Sequence, residues 1–231
     1  MTEFTKWRSL VDGAEISAIP DGLVDNFNSV DDNPVGPYEE DFDLSNFYTG
    51  AVDEFQRSNE QSFSGQTSLA IPSTDDDTVI HSEQGDGLPN YPSPGDTFSS
   101  FWYFGSETSW GDVSVGLSYG IPTDNIGTAD AGYLMFINDG PQLELRKDGV
   151  TQDSDGGMSQ IEAEFFEIEI QYGDSVVDHE ATVFILDNDG NRDSTDASVS
   201  FSDAEHENNS FGLQENHDSA IDNYLDNIII G

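Results

Sequence analysis

Phe166-Glu167-Ile168-Glu169-Ile170 alternates an apolar side chain with a carboxylate at every step. A period of two places the two kinds of side chain on opposite faces of a β-strand, one buried and one wet. The same rhythm recurs on either side. Downstream lie Ala181–Leu186 with the turn Asn188-Asp189-Gly190, then Val199-Ser200-Phe201, then Leu225–Ile230. Upstream, Leu143–Arg146 leads into Asp148-Gly149, and Tyr133–Ile137 into Asn138-Asp139-Gly140. Val113, Val115 and Leu117 alternate with Ser114, Gly116 and Ser118. The aromatic run Thr97–Phe104 ends at Gly105, and Ser68–Ile71 ends at Pro72. The Asp-Gly pairs are hairpin turns that need positive φ. No stretch carries apolar residues at i, i+3, i+4 and i+7, so helices are not expected. The expected fold is all-β, a two-sheet antiparallel sandwich. The stretch from Pro72 to Asp96 holds Pro72, Pro89, Pro92 and Pro94 and reads as a long loop without central strands.

The charge bounds the environment. Forty-seven Asp and Glu face six Lys and Arg, for a formal net charge of −41 in 231 residues. In dilute buffer such a surface repels itself. In molar salt the Debye length falls to about 3 Å and most of that repulsion is screened. The composition therefore reads as a halophilic protein. Fifteen Phe, eight Tyr and three Trp supply too many apolar anchors for a disordered acidic chain. Nucleic acid is not an expected partner, because phosphate binding needs clustered bases. The same charge argues against anionic membranes, and no apolar run reaches the roughly 20 residues that span a bilayer. Without cysteine there are no disulfides and no thiolate chemistry.

Two units are expected. Residues 1–25 form an irregular N-terminal docking segment in which Trp7, Leu10 and Ile19 would anchor the chain to the main domain, to a sister subunit or to a particle. Residues 26–231 form the sandwich. The first residues lack the apolar core of a secretory signal, so the protein is expected either to act inside the cell or to leave it by another route, such as release within a virus particle.

Four pieces, taken in order, carry a family resemblance: Phe63-Ser64-Gly65-Gln66-Thr67-Ser68-Leu69, Phe165–Ile170, Thr182–Asn191 and Ile221–Ile230. Together they resemble the concanavalin A-like (laminin-G and glucanase-type) jelly roll, in a form seen in haloarchaea and their viruses. Trp7–Gly13 with Ala18–Asp21 resembles the start of structural proteins of haloarchaeal tailed viruses. The resemblance implies a sugar-binding or adhesive jelly-roll sandwich on the virion surface, as a turret, decoration or tail part. The partners it implies are other virion proteins, further copies of this chain and host surface glycan.

Candidate chemistry is sparse. Glu162, Glu164 and Glu167 superficially fit the acid strand of laminarinase-type glycosidases, which need two carboxylates about 5 Å apart. The middle acid is Glu where that family has Asp, and Phe165-Phe166 breaks the alternation. Glycan hydrolysis is thus the alternative, and no catalytic residue is assigned. Gly116-Leu117-Ser118-Tyr119-Gly120 spells a nucleophile elbow but lacks a following helix. His81, His179, His206 and His217 are scattered without ligand spacing and read as surface or loop histidines. The turns at Asp153–Gly157 and Asp187–Asp193 have oxygen ligands that could hold calcium, but no metal site is assigned. For glycan contact the expected residues are Tyr91 and Trp110, whose rings would stack on a sugar, and Asp112, which would fix its hydroxyls.

Overall fold

The computed structural model describes residues 23–25, 48–50, 55–58, 60–63, 68–71, 74–82, 94–105, 115–120, 132–138, 140–206, 211–217 and 223–230. These form β-strands joined by turns, with no helix among them. The strands are β1 (Leu23–Asp25), β2 (Tyr48–Gly50), β3 (Gln56–Ser58), β4 (Ser68–Ala70) and β5 (Thr74–Ser82), followed by β6 (Thr97–Phe104), β7 (Val115–Tyr119), β8 (Tyr133–Asn138), β9 (Gln142–Lys147) and β10 (Val150–Asp155). The chain continues with β11 (Phe165–Gln171), β12 (His179–Leu186), β13 (Arg192–Phe201), β14 (Phe211–His217) and β15 (Asn223–Ile230).

Two antiparallel sheets result. The first runs β13-β12-β11-β6-β15-β4-β3, with β1 also paired to β15; the second runs β10-β9-β8-β7-β14-β5-β2. The all-β, two-sheet sandwich expected from the alternation is the observed fold. Asp148 (φ 48°) and Gly149 (φ 75°) make the β9–β10 turn, and Gly140 (φ 95°) lies in the β8–β9 turn. Both are the hairpins that the Asp-Gly pairs anticipate.

One expectation fails. β5 lies inside the stretch read as a strandless loop, and it is paired on both sides, to β14 and β2. The prolines explain the error: Pro72, Pro89, Pro92 and Pro94 bracket residues 74–82 but none falls within them. Proline removes a ladder donor only where it stands.

Facing side chains from the two sheets make one core. Phe98, Trp102 and Phe104 of β6, Phe166, Ile168 and Ile170 of β11, and Leu225 of β15 meet Val115, Leu117, Met135, Ile137, Leu143 and Leu145 of the second sheet. Strand parity decides membership, so Trp102 points inward and Tyr103 outward. The Trp102 indole N–H donates to the inward Ser100 hydroxyl at 2.7 Å, which satisfies the only polar atom of the ring. Gly116 and Ser118 sit mid-strand in β7, paired to β8 and β14, so the elbow-like motif is a strand ending at Gly120 (φ 61°). A Cβ at Gly116 would lie 2.3 Å from the Met135 carbonyl oxygen. Gly116→Ala should therefore cost about 2 kcal/mol or more through overpacking of a ladder that cannot yield. Urea denaturation in molar salt measures it.

One end of the core is polar. His179 is fully buried among the rings of Tyr133, Tyr119, Tyr172 and Phe201. This corrects the expectation that the histidines are surface or loop residues. His179 precedes the alternating run Ala181–Leu186 and continues its inward register, so parity carries it into the core. Its Nδ1 accepts from the Gly173 N–H at 3.0 Å, and its Nε2 lies 3.0 Å from the Asp203 carbonyl oxygen. The Tyr133 hydroxyl donates to the Asp203 carboxylate at 2.7 Å, and Lys147 Nζ donates to the same group at 2.9 Å. Burial pushes the Asp203 carboxyl up, but hydrogen bonds from Lys147, the Glu205 N–H and Tyr133 outweigh it and hold its pKa at about 2.

Candidate functional site

None of the residues expected to touch glycan or anchor the chain falls where structure can be assigned to it: Tyr91, Trp110, Asp112, Trp7, Leu10 and Ile19 all lie outside the described residues. The acids of the hydrolase alternative are described, and they lead to the outer face of the first sheet.

Along β11 the alternation holds. Phe166, Ile168 and Ile170 point inward, so Phe165, Glu167 and Glu169 point away from the core. Glu167 is nevertheless only 3% exposed. Its charge is met by Arg192, whose Nε and Nη2 donate to the two carboxylate oxygens at 2.8 and 2.7 Å. Arg192 also pairs with Glu169 and lies with its guanidinium carbon 4.1 Å from the Phe184 ring centroid. Hydrogen bonds to Glu167, then to Glu169, push the guanidinium pKa further above its ordinary value. Two register shifts in the β12–β13 ladder place Arg192 opposite Leu186, where it can reach across β12 to β11. Glu162, before β11, accepts from the Gln160 side chain. A nucleophilic carboxylate must be free to attack and an acid must hold a proton. Glu167, tied by a bidentate charge-assisted pair, has neither freedom.

Beside this pair the outer face turns aromatic. In register across the sheet, Phe165 opposes Tyr103 and Tyr103 opposes Tyr224; one row along, Glu167 opposes Phe101 and Phe101 opposes Asp226. The segment 60–63 folds back onto this face. The Phe63 ring stacks on Phe101 at 3.9 Å with 10° between planes, and meets Phe165 edge-on at 5.6 Å. Tyr103 lies 5.2 Å from Phe165 and 6.0 Å from Tyr224. The Phe63 N–H donates to Asp226 at 2.7 Å, and the Tyr224 hydroxyl donates to Glu60 at 2.6 Å. Phe101 and Tyr224 are buried, whereas Phe63, Tyr103 and Phe165 keep partial exposure.

Sequence reasoning missed this cluster and Arg192. The signal was present in both cases. Consecutive aromatics, Phe165-Phe166 and Phe101–Phe104, mean rings on both faces of a strand, and one face of each is not core. A base among six in so acidic a chain marks a carboxylate that cannot be left alone.

The carboxylates of the two acidic turns are engaged by hydrogen bonds within the fold. Asp187 Oδ1 accepts from the backbone N–H groups of Asp189 and Asn191 at 2.8 and 2.9 Å. Asp153 and Asp155 accept from the N–H groups of Ser200 and Ser198 on the edge strand β13, at 2.9 and 3.3 Å. These carboxylates point into their own turn and at a sheet edge rather than converging. Among the described residues no three acids or histidines converge on a common point.

No family model matches the sequence, and no curated protein sequence does either. Solved structures share the fold. The VIP36 exoplasmic/lumenal domain in its Ca2+/Man3GlcNAc-bound form superposes with a TM-score of 0.52 at 10% identity, over 80% of this chain and 84% of that one. Its metal-free form gives 0.52 at 8% identity, over 80% and 84%. Winged bean acidic lectin, complexed with methyl-α-D-galactose, gives 0.46 at 8%, over 80% and 97%. The VIP36 superpositions show that the two-sheet sandwich has a lectin-like jelly-roll fold.

Proposed function

We propose that this chain is a non-enzymatic glycan-binding sandwich, displayed on the outside of a halophilic virus particle as a turret, decoration or tail part. The observation that carries the non-enzymatic reading is the Arg192–Glu167 pair: the carboxylate that the hydrolase alternative needs is buried and spent. Glycan binding is supported by the lectin-like fold, which a sugar-bound protein shares. The particle location is supported by the charge of −41 and by the N-terminal resemblance to viral structural proteins. In this reading Trp7, Leu10 and Ile19 hold the chain to neighbouring virion proteins or to further copies of itself, so a homo-oligomer is expected. Host surface glycan is the partner on the other side.

The hydrolase alternative is tested first. Incubated with β-glucan and with haloarchaeal surface polysaccharide in molar salt, the protein should release no reducing ends, and Glu167→Gln should leave that unchanged. Release that Glu167→Gln abolishes would replace this reading with hydrolysis. Mass spectrometry of purified haloviral particles tests the location, which fails if the chain is absent from them.

A further inference from the structure

We infer that the partly exposed rings of Phe63, Tyr103 and Phe165 form a stacking platform for neutral pyranose units, an inference that rests on the glycan-binding reading above. Three features of the outer face point to it. First, these rings are outside the core by strand parity. They adjoin one another in a chain whose large hydrophobics are otherwise well covered, the exposed ones among the described residues being Val150 and Val176. An aromatic ring presents a negative π face that attracts polarised C–H groups, and one side of a pyranose is a patch of such groups.

Second, the platform is held before any ligand arrives. Phe63 is fixed by its stack on Phe101 and by its N–H bond to Asp226. The segment that carries it is tied again by Tyr224 to Glu60 and by the Ser68 hydroxyl to the Gln61 carbonyl. Rings already immobilised lose little entropy on binding.

Third, the rim offers the right polar groups. The Tyr103 hydroxyl makes no hydrogen bond among the described residues, and exposed Glu60 uses one oxygen for Tyr224, leaving the other to accept from a sugar hydroxyl. Charge selects the occupant. An acidic sugar would set its carboxylate against Glu60 at contact range, where even molar salt with its Debye length of about 3 Å leaves repulsion. A second copy docked here by a two-fold axis would set Glu60 and its neighbours against themselves. A neutral sugar meets neither obstacle.

The test uses the full chain in molar potassium chloride with mannotriose, laminaritriose and a trimeric uronate as probes. Calorimetry should find binding of a neutral trimer and none of the uronate. Tyr103→Leu and Phe165→Leu, which keep apolar volume but remove the π face, should each weaken it about three- to tenfold. Phe136→Leu, on the outer face of the second sheet, should not. Hydroxyl-radical footprinting of the unaltered protein needs no variant, and sugar should protect Phe63, Tyr103 and Phe165. Sugar binding with protection elsewhere and unweakened variants would overturn the platform while leaving glycan binding intact. Failure of every probe to bind would remove the glycan reading and the platform with it. Concentration-dependent dimers that protect these three rings without sugar would assign the face to a second copy instead.

Discussion

Arg192→Met is expected to lower the unfolding free energy by about 2 kcal/mol, between the range for a surface ion pair and that for a fully buried one, because Glu167 is buried while the Arg192 side chain is 36% exposed. The loss comes from the partner left behind. Glu167 is 3% exposed, between Phe101 on β6 and Phe184 on β12 in register, and without the guanidinium its carboxylate has no neighbouring cation among the described residues. The Arg192 packing over Phe184 is lost as well. Equilibrium urea unfolding in molar salt reads the change. The double variant Arg192→Met with Glu167→Leu should recover most of it, because the buried carboxylate that lost its partner is then replaced by apolar volume. A single variant with full stability would mean that water, not Arg192, solvates Glu167.

Acid should begin to destabilise this protein through His179 as the pH falls below about 6.5. Burial lowers the His179 pKa below its ordinary value, against smaller opposing contributions from Asp203, Asp174 and Asp178. The geometry gives the same direction. Nδ1 accepts the Gly173 N–H, so a second proton on the ring would set donor against donor. The groups facing the ring are Tyr119 of β7, Tyr133 of β8, Tyr172 after β11 and Asp203 after β13, and burial raises the pKa of both Tyr119 and Tyr133, keeping them neutral. In the unfolded chain the histidine takes up a proton near pH 6.5; in the native state it does so lower. The stabilisation is therefore whole above about pH 6.5 and is lost as pH falls through the native pKa, by at most about 1.4 kcal/mol per pH unit for one proton. Asp203, held at about 2, contributes its own loss only at much lower pH. Urea midpoints measured at constant salt should fall from pH 7 to pH 5. His179→Gln, which can keep both an acceptor for Gly173 and a donor for Asp203, should flatten that slope. An unchanged slope in His179→Gln would place the titrating group elsewhere.

How far the sequence could be read follows from what kind of information each feature is. Phe166–Ile170 alternates because one face of β11 meets core and the other water, so a period of two was enough to name a strand. The Asp-Gly pairs named the turns because only residues tolerant of positive φ fit there, as Asp148 and Gly149 do. β5 escaped because the prolines flanking it were read as covering a region when each acts at a single residue. His179 escaped because a polar side chain at an inward position carries no periodic signature of its own.

The chain's own order of residues settled that strands would form, that they would be antiparallel and that the exterior would be acidic, since these depend on neighbours two or a few residues apart. Which outward residues meet is a different matter. Arg192 reaches Glu167 across 25 positions, and Phe63 reaches Asp226 across 163. Those partners were brought together by strand order and register, which local periodicity does not encode. Only the folded sheet could turn a suspected catalytic acid into half of an ion pair and lay scattered rings side by side.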